Sequence, residues 1–549
     1  TFNGSIQLDS DQDLTVVDVM AAGLGSDVTL TTRVGGVLVA RVSATDLIDV
    51  LSAGGLEELG SDAEADLITS RLDLNAESGI GAMGRLETMA DFLVAQTNTG
   101  GIDLLNLGAL FVNGATVAVS GGISITATSP LIISGDVRAP GDVLLDAREI
   151  SDAPVWGDDL IVKAGVTVES AGAGVTLRAG DDLILEVGST IRAAGLMTIV
   201  GGFEDVDGGA SASLLGTIHA NGGLSVFTLG DLSVGEIISN GQTVELTTQN
   251  GRILDGNGVG VLNVTAATLT ARAALGIALD TAVANLDLST DAENIELINT
   301  LSTPVTANVA VVGAGEIDLA QNGGGALTVS DARTGDGDIA LSVEGADLEA
   351  QLVAAGGQGN VSLLTTASGD VLLGMVSAVG DTVNIDSIGA VVDALAGEAA
   401  NLVGATAVIE AVNGVGTSAQ DIDTQLDSLD VQSSGLVGGI FVTELSSGGD
   451  LSLSARLTNA AGAGHVVVIG ESGGLTVPVS GGGVIVAGSG NILIEARGAQ
   501  SDLTLLSNVG GAGCALAELA AAGAIARLLL WEPILFDPEP GSSRQRKAA

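Results

Sequence analysis

The chain is short of almost everything a compact enzyme leans on. It has one cysteine (Cys514), two histidines (His219 and His465), no tyrosine, two tryptophans and seven phenylalanines in 549 residues. A lone cysteine excludes an internal disulfide framework, so the fold must hold by packing and repetition. Two histidines and one cysteine, far apart, argue against a zinc site, which needs them clustered. With so few aromatics the chain lacks large rigid core anchors and stacking platforms for sugars. Only 18 residues are Lys or Arg against 67 Asp or Glu, a net charge of -49. Such a surface repels nucleic acid and anionic lipid, and neither is expected as a partner. No apolar run reaches the roughly 20 residues of a membrane-spanning helix. Ala512 to Leu530 comes nearest and is interrupted by Glu518 and Arg527. The sequence shows no Walker loop and no C-x-x-C pair. Its 8 prolines leave long strand ladders uninterrupted.

What it has is glycine and small aliphatic residues. Glycine accounts for 81 positions, against a usual share of about 7%. Hydrophobic residues make up 46%, mostly Val, Leu, Ile and Ala. That much aliphatic content excludes a disordered chain. Thr1 opens the sequence with no basic segment and apolar stretch after it. No signal peptide is visible, and the expectation is a piece of a longer chain or a processed one.

Repeats organise the sequence. In "GDDLIVKAGVTVESAGAGVTLRAGDDLILEVGSTIRAAG", Asp158-Asp159-Leu160-Ile161 returns as Asp181-Asp182-Leu183-Ile184, and Val166-Thr167-Val168 returns as Ser189-Thr190-Ile191. A longer repeat links segments opening at Asp13, Asp231 and Asp370, each an acidic start, a short strand, a Gly turn and a Val/Thr strand. It continues in segments opening at Gly79, Gly276 and Gly414. The spacing from Asp231 to Asp370 nearly equals that from Gly276 to Gly414. The resulting organisation is residues 1–134 as a first module, 135–230 as short-period coils, 231–369 and 370–508 as second and third modules, and 509–549 as a tail. The first module carries an insertion near residues 42–68, where Leu47, Ile48, Leu51, Leu56 and Leu59 have helical spacing.

Alternating branched and small residues, punctuated by Gly every six to twelve positions, predict strands throughout. A step as short as that from Asp158 to Asp181 is too small for a β-sandwich domain, which needs about 100 residues. It suits one coil of a parallel β-solenoid, whose equivalent residues stack about 4.8 Å apart. The predicted fold class is therefore all-β, a parallel β-solenoid (β-helix) rod of short Gly-punctuated strands. The insertion is expected to be a loop or a short helix, and Ala515 to Trp531 a helix that either caps the last coil or ends the chain unpacked. Ile184 is expected to point inward.

Motifs with chemical meaning are few. "GESGG", Gly470 to Gly474, fits the G-x-S-x-G pattern of a nucleophilic serine. In a chain this rich in Gly and Ser, a solenoid corner explains it better. Asp158-Asp159 and Asp181-Asp182 would stack on successive coils, and "FEDVDGG" (Phe203 to Gly209) and "TGDGD" (Thr334 to Asp338) are further acidic turns. Stacked carboxylates repel unless solvated or bridged, which raises calcium as a candidate. The bland alternative is a solvated acidic edge that discourages aggregation. No residue is assigned as catalytic, cofactor-binding or metal-binding. The basic "RQRK", Arg544 to Lys547, reads as a solvated tail.

The grammar of "GTIHANGGLSVFT" and "GRILDGNGVGVLNVTAATLTARAALGIALDTAVANLDLSTDAENIELINT" resembles the repeat region of giant bacterial surface proteins, the filamentous-haemagglutinin-like β-strand-repeat adhesins. The resemblance covers most of residues 1 to 508. It implies a secreted or cell-surface segment without catalysis, serving adhesion, aggregation or a biofilm scaffold. The partners it implies are a host or neighbouring-cell surface or a matrix polymer. The alternatives are a polysaccharide-acting β-helix enzyme and a calcium-dependent β-sandwich stalk.

Overall fold

A computed structural model describes residues 4–60, 62–128, 130–149, 157–206, 208, 210–498, 501–511, 515–522 and 525–531. The described chain is all-β in class, 61% strand with no α-helix, and forms a parallel β-solenoid of about 22 turns. It divides into two compact units, Thr1–Gly323 and Gly324–Ala549. No helix among the described residues is long and apolar enough to cross a membrane.

In the first unit each coil lays its strands in parallel register on the one before. Leu160–Val162 pairs with Leu183–Leu185, and Thr167–Ser170 with Thr190–Ala193. These are the repeats seen in the sequence, set one coil apart. Each strand alternates buried and outward residues, as period-two side-chain geometry requires. Ala212–Ala220 shows this without a break. Stacking the inward positions builds aliphatic columns. Ile123, Val143, Val175, Met197, Leu224 and Val244 follow one another in register, and none is more than 2% exposed. Small branched side chains fill this narrow interior, so aromatics are not needed. The second unit repeats the construction. Ile440–Glu444 pairs with Val466–Gly470, which pairs with Ile492–Arg497, all parallel.

Glycine serves where successive corners touch. A Cβ on Gly121 (φ 124°) would lie 2.5 Å from the Gly101 nitrogen, and one on Gly141 would lie 2.7 Å from the Gly121 oxygen. The backbones are too close there for any side chain.

Three expectations are corrected. Residues 42–68 form no helix but the strands Val42–Ala44, Leu47–Ser52, Leu56–Glu58 and Leu67–Ile68. Ile48 and Val50 are buried while Leu51 is 49% exposed, so the segment follows period two. Its pairing with Val28–Thr32 and Arg71–Ala76 decides the matter. The C-terminal segment is not a helix either. Ala515–Ala522 and Ile525–Trp531 are antiparallel strands, and the second pairs antiparallel with Ile492–Arg497. The last coil presents unpaired N–H and C=O groups that a strand satisfies and a helix does not, which outweighs Ala/Leu helix propensity. Third, Leu183 and Leu185 point inward, and Ile184 faces outward between them. Cys514 and Arg544 to Lys547 lie outside the described residues.

Candidate functional site

The acidic residues that open strands have a common task. Asp159 Oδ1 accepts a hydrogen bond from the N–H of Asp182, one coil on, at 3.2 Å. Asp182 Oδ1 accepts in turn from the N–H of Ser211 at 2.8 Å. Asp347 Oδ1 accepts from the N–H of Asp370 at 2.8 Å, and Asp370 Oδ1 from the N–H of Ala390 at 2.7 Å. Asp338 Oδ1 takes the N–H of Asn360 at 2.7 Å, and Asn360 Oδ1 the N–H of Thr382 at 3.1 Å. Each side chain extends the backbone ladder past the end of its strand and braces the next coil at the corner. A carboxylate accepting a backbone N–H makes a charge-assisted bond, stronger than a neutral one. The aspartates of "TGDGD" work this way, since Asp336 Oδ1 also accepts from the N–H of Gln358 at 3.1 Å.

The repeated acidic pair does stack. Burial pushes Asp159 up to about 6, opposed by the Asp182 N–H and reinforced by the charges of Asp182, Asp181 and Asp158. Asp181 Oδ2 accepts from the N–H of Asp158 at 2.8 Å. Two of the acidic turns meet, because Asp181, Asp205 of "FEDVDGG" and Glu149 each place a carboxylate oxygen within 4.8 Å of the others. All three are half-buried, and Glu149 and Asp205 have interactions of their own. A second such group comprises Glu58, Asp66 and Glu87. No local motif singles it out, because Asp66 and Glu87 are neither adjacent nor repeated.

The serine motif lies in a corner. Val466–Gly470 and Leu475–Val477 are strands, so "GESGG" joins strand to strand, without the helix a nucleophile elbow requires. Ser472 Oγ donates to the Ser446 carbonyl at 2.9 Å. His465 Nδ1 accepts from the Asn491 N–H at 3.1 Å. His465 and Ser472 flank opposite ends of the strand Val466–Gly470, which puts them roughly 15 Å or more apart. His219 lies in register with Arg192; burial first, then that guanidinium, holds its imidazole below the ordinary range.

Buried polar nodes recur at related places. Thr88 Oγ1 donates to Asn106 Oδ1 at 2.9 Å, which also accepts the Ala90 N–H. Thr281 Oγ1 donates to Asn299 Oδ1 at 2.8 Å, which also accepts the Val283 N–H. Both asparagines return a hydrogen bond, to the carbonyls of Ala90 and Val283. The third node has a glutamate instead. Thr424 Oγ1 donates to Glu444 Oε2 at 2.6 Å, and the Leu426 N–H donates to Oε1 at 3.0 Å. Glu444 is fully buried, and burial pushes its carboxyl up to about 7.

A second pair of nodes hangs loops on the solenoid. Asn263 donates to Asp255 and to the Val234 carbonyl, while its Oδ1 accepts the Asp280 N–H. Asn401 repeats the arrangement with Asp393, Leu373 and Asp423. Asp393, Glu398, Asp421 and Asp423 line an acidic recess beside the second loop. Burial, then Asp421 and Glu398, pushes Asp423 up to about 7.

These features define a class, a parallel β-solenoid scaffold whose polar residues mostly brace its own coils. No family model matches the chain, and no curated protein or solved structure gives a significant match.

Proposed function

We propose that this chain is a structural and adhesive segment of a large secreted or cell-surface repeat protein, carrying no reaction of its own. The observation that supports this most is the use made of its acidic side chains. Asp159, Asp182, Asp338, Asp347 and Asp370 are committed to bracing neighbouring coils. A repeating core with a braced, acidic exterior suits a spacer that carries load and presents a repeating acidic surface. The resemblance to filamentous-haemagglutinin-like repeats adds the secreted setting and the adhesive role, with a cell surface or matrix polymer as partner.

The test is retention. Beads coated with the purified chain are passed over cell monolayers and polysaccharide films under flow, beside beads coated with albumin. Retention well above albumin, or bead-to-bead clumping, supports adhesion. Retention equal to albumin, with circular dichroism showing an intact β fold, overturns the adhesive role. Depolymerisation of any of the films by the chain overturns the non-catalytic reading.

A further inference from the structure

The segment that distinguishes the first module brings three carboxylates to one corner. Glu58 ends the strand Leu56–Glu58, and Asp66 immediately precedes the strand Leu67–Ile68. Glu87 lies one coil on, in the strand Leu86–Met89. Asp66 and Glu87 are locked in register. The Asp66 N–H donates to the Glu87 carbonyl at 2.9 Å, and the Glu87 N–H donates to Asp66 Oδ2 at 3.2 Å. One carboxylate oxygen from each of Glu58, Asp66 and Glu87 lies within 4.8 Å of the other two.

Burial separates this group from an ordinary acidic surface. Asp66 is 1% exposed and Glu87 is 7% exposed. Glu87 Oε2 is shielded from solvent and accepts no hydrogen bond. A buried carboxylate oxygen whose lone pairs meet no donor is costly unless a proton or a cation answers it. Arg85, two residues before Glu87, donates its Nε–H to Asp103 at 3.0 Å. Asp62 adds to the negative field, and its N–H donates to Glu58 Oε1 at 2.9 Å, folding it back toward that side chain. Burial, the largest effect, together with the charges of Glu58, Glu87 and Asp62, pushes Asp66 up to about 7. A proton is therefore the competitor for the site.

The spacing fits a metal ion. Calcium binds oxygen at about 2.3–2.6 Å, so opposed ligands stand about 4.6–5.2 Å apart. Three carboxylate donors from three separate stretches of chain make an all-oxygen, adaptable set, which suits calcium better than the rigid octahedron of magnesium. We propose that Glu58, Asp66 and Glu87 bind a calcium-class divalent cation that ties the strand ending at Glu58 and the strand opening after Asp66 to the coil carrying Glu87. The site is separate from the acidic turns at Asp158–Asp159, Asp181–Asp182, 203–209 and 334–338.

The experiment uses the full chain, stripped with chelator and kept in mildly alkaline buffer so that protons do not compete. Calcium chloride, then magnesium chloride, is titrated in by calorimetry, with thermal melts beside each titration. The expected result is saturable calcium binding that raises the melting temperature. Glu87→Gln keeps size and coil geometry and is expected to weaken that binding by on the order of tenfold or more. Glu58→Gln, at a half-buried position, serves if Glu87→Gln does not fold, and is expected to weaken binding as well. Calcium binding unchanged in both folded variants overturns the proposal. So does the absence of saturable binding to the wild type. Binding that Asp181→Asn abolishes and the Glu58 and Glu87 variants leave intact places the ion at the other cluster and also overturns it.

Discussion

The N–H of Asp182 donates to the carboxylate of Asp159, while the carboxylate of Asp182 accepts both the N–H and the hydroxyl of Ser211. One residue thus receives support from one side of the stack and gives it on the other. The two acidic positions that the sequence repeats are rungs of a side-chain ladder running beside the backbone ladder.

Removing one rung should be felt locally. Asp182→Ala is expected to destabilise the chain by about 1–2 kcal/mol, because the Ser211 N–H and hydroxyl lose their acceptor. Asp182→Asn keeps an acceptor oxygen and should recover most of that loss. Native-state hydrogen exchange reads the effect. Faster exchange should be confined to amides near Ser211 and the adjoining coils, since each coil contacts only its neighbours. Equal acceleration throughout the chain would contradict the brace.

The direction of side chains in Leu183–Leu185 gives a sharper contrast. Leu183 is 0% exposed and Ile184 faces outward. Leu183→Asp buries a charge in an aliphatic column and is expected to cost about 4 kcal/mol or more. Ile184→Asp should cost less than about 1 kcal/mol. Urea unfolding of the two variants checks this, and similar midpoints would reject the register.

Acidity should stabilise this acidic protein. Glu444 has an ordinary value of 4.5 and is raised to about 7 in the fold. The folded state therefore holds the proton more tightly than the unfolded state. Its contribution is lost as pH rises from 4.5 through about 7, by about 3 kcal/mol at most. Asp66 and Asp423, raised to about 7, and Asp159, raised to about 6, act in the same direction. Melting temperature is expected to fall between about pH 5 and about pH 8. Glu444→Gln offers a neutral amide where Asn106 and Asn299 already have one, and should melt above wild type at the alkaline end only. A wild-type melting temperature that rises with pH would refute the direction.

Much of this architecture was legible in the residues from Gly157 to Gly202. Leu160 pairs with Leu183 and Thr167 with Thr190 across one and the same step there, so the pairing appears directly as a sequence repeat. Elsewhere the coil length drifts. Ile277 pairs with Ile295, but Leu131 pairs with Leu160, a much longer step. A fixed period cannot be read across such variation. Local pattern also misled where two periods coincide. Leu47 and Leu51 share a helical face, yet Ile48 and Val50 share the strand face that pairs with both neighbouring coils. The propensity of Ala515 to Trp531 pointed to a helix because the unsatisfied edge that recruits a strand belongs to Ile492–Arg497, distant in sequence. The carboxylate group at Glu58, Asp66 and Glu87 was invisible for the same reason. Its members meet only when one coil is set upon another.

The uneven coil length has a hereditary meaning. Because register is fixed by a few aliphatic positions and an acidic brace at the corner, the residues looped out between them are free to grow or shrink. A gene for such a chain can gain or lose a coil through unequal recombination and still encode a continuous ladder. Length becomes a trait that selection can adjust one turn at a time, without designing a new core.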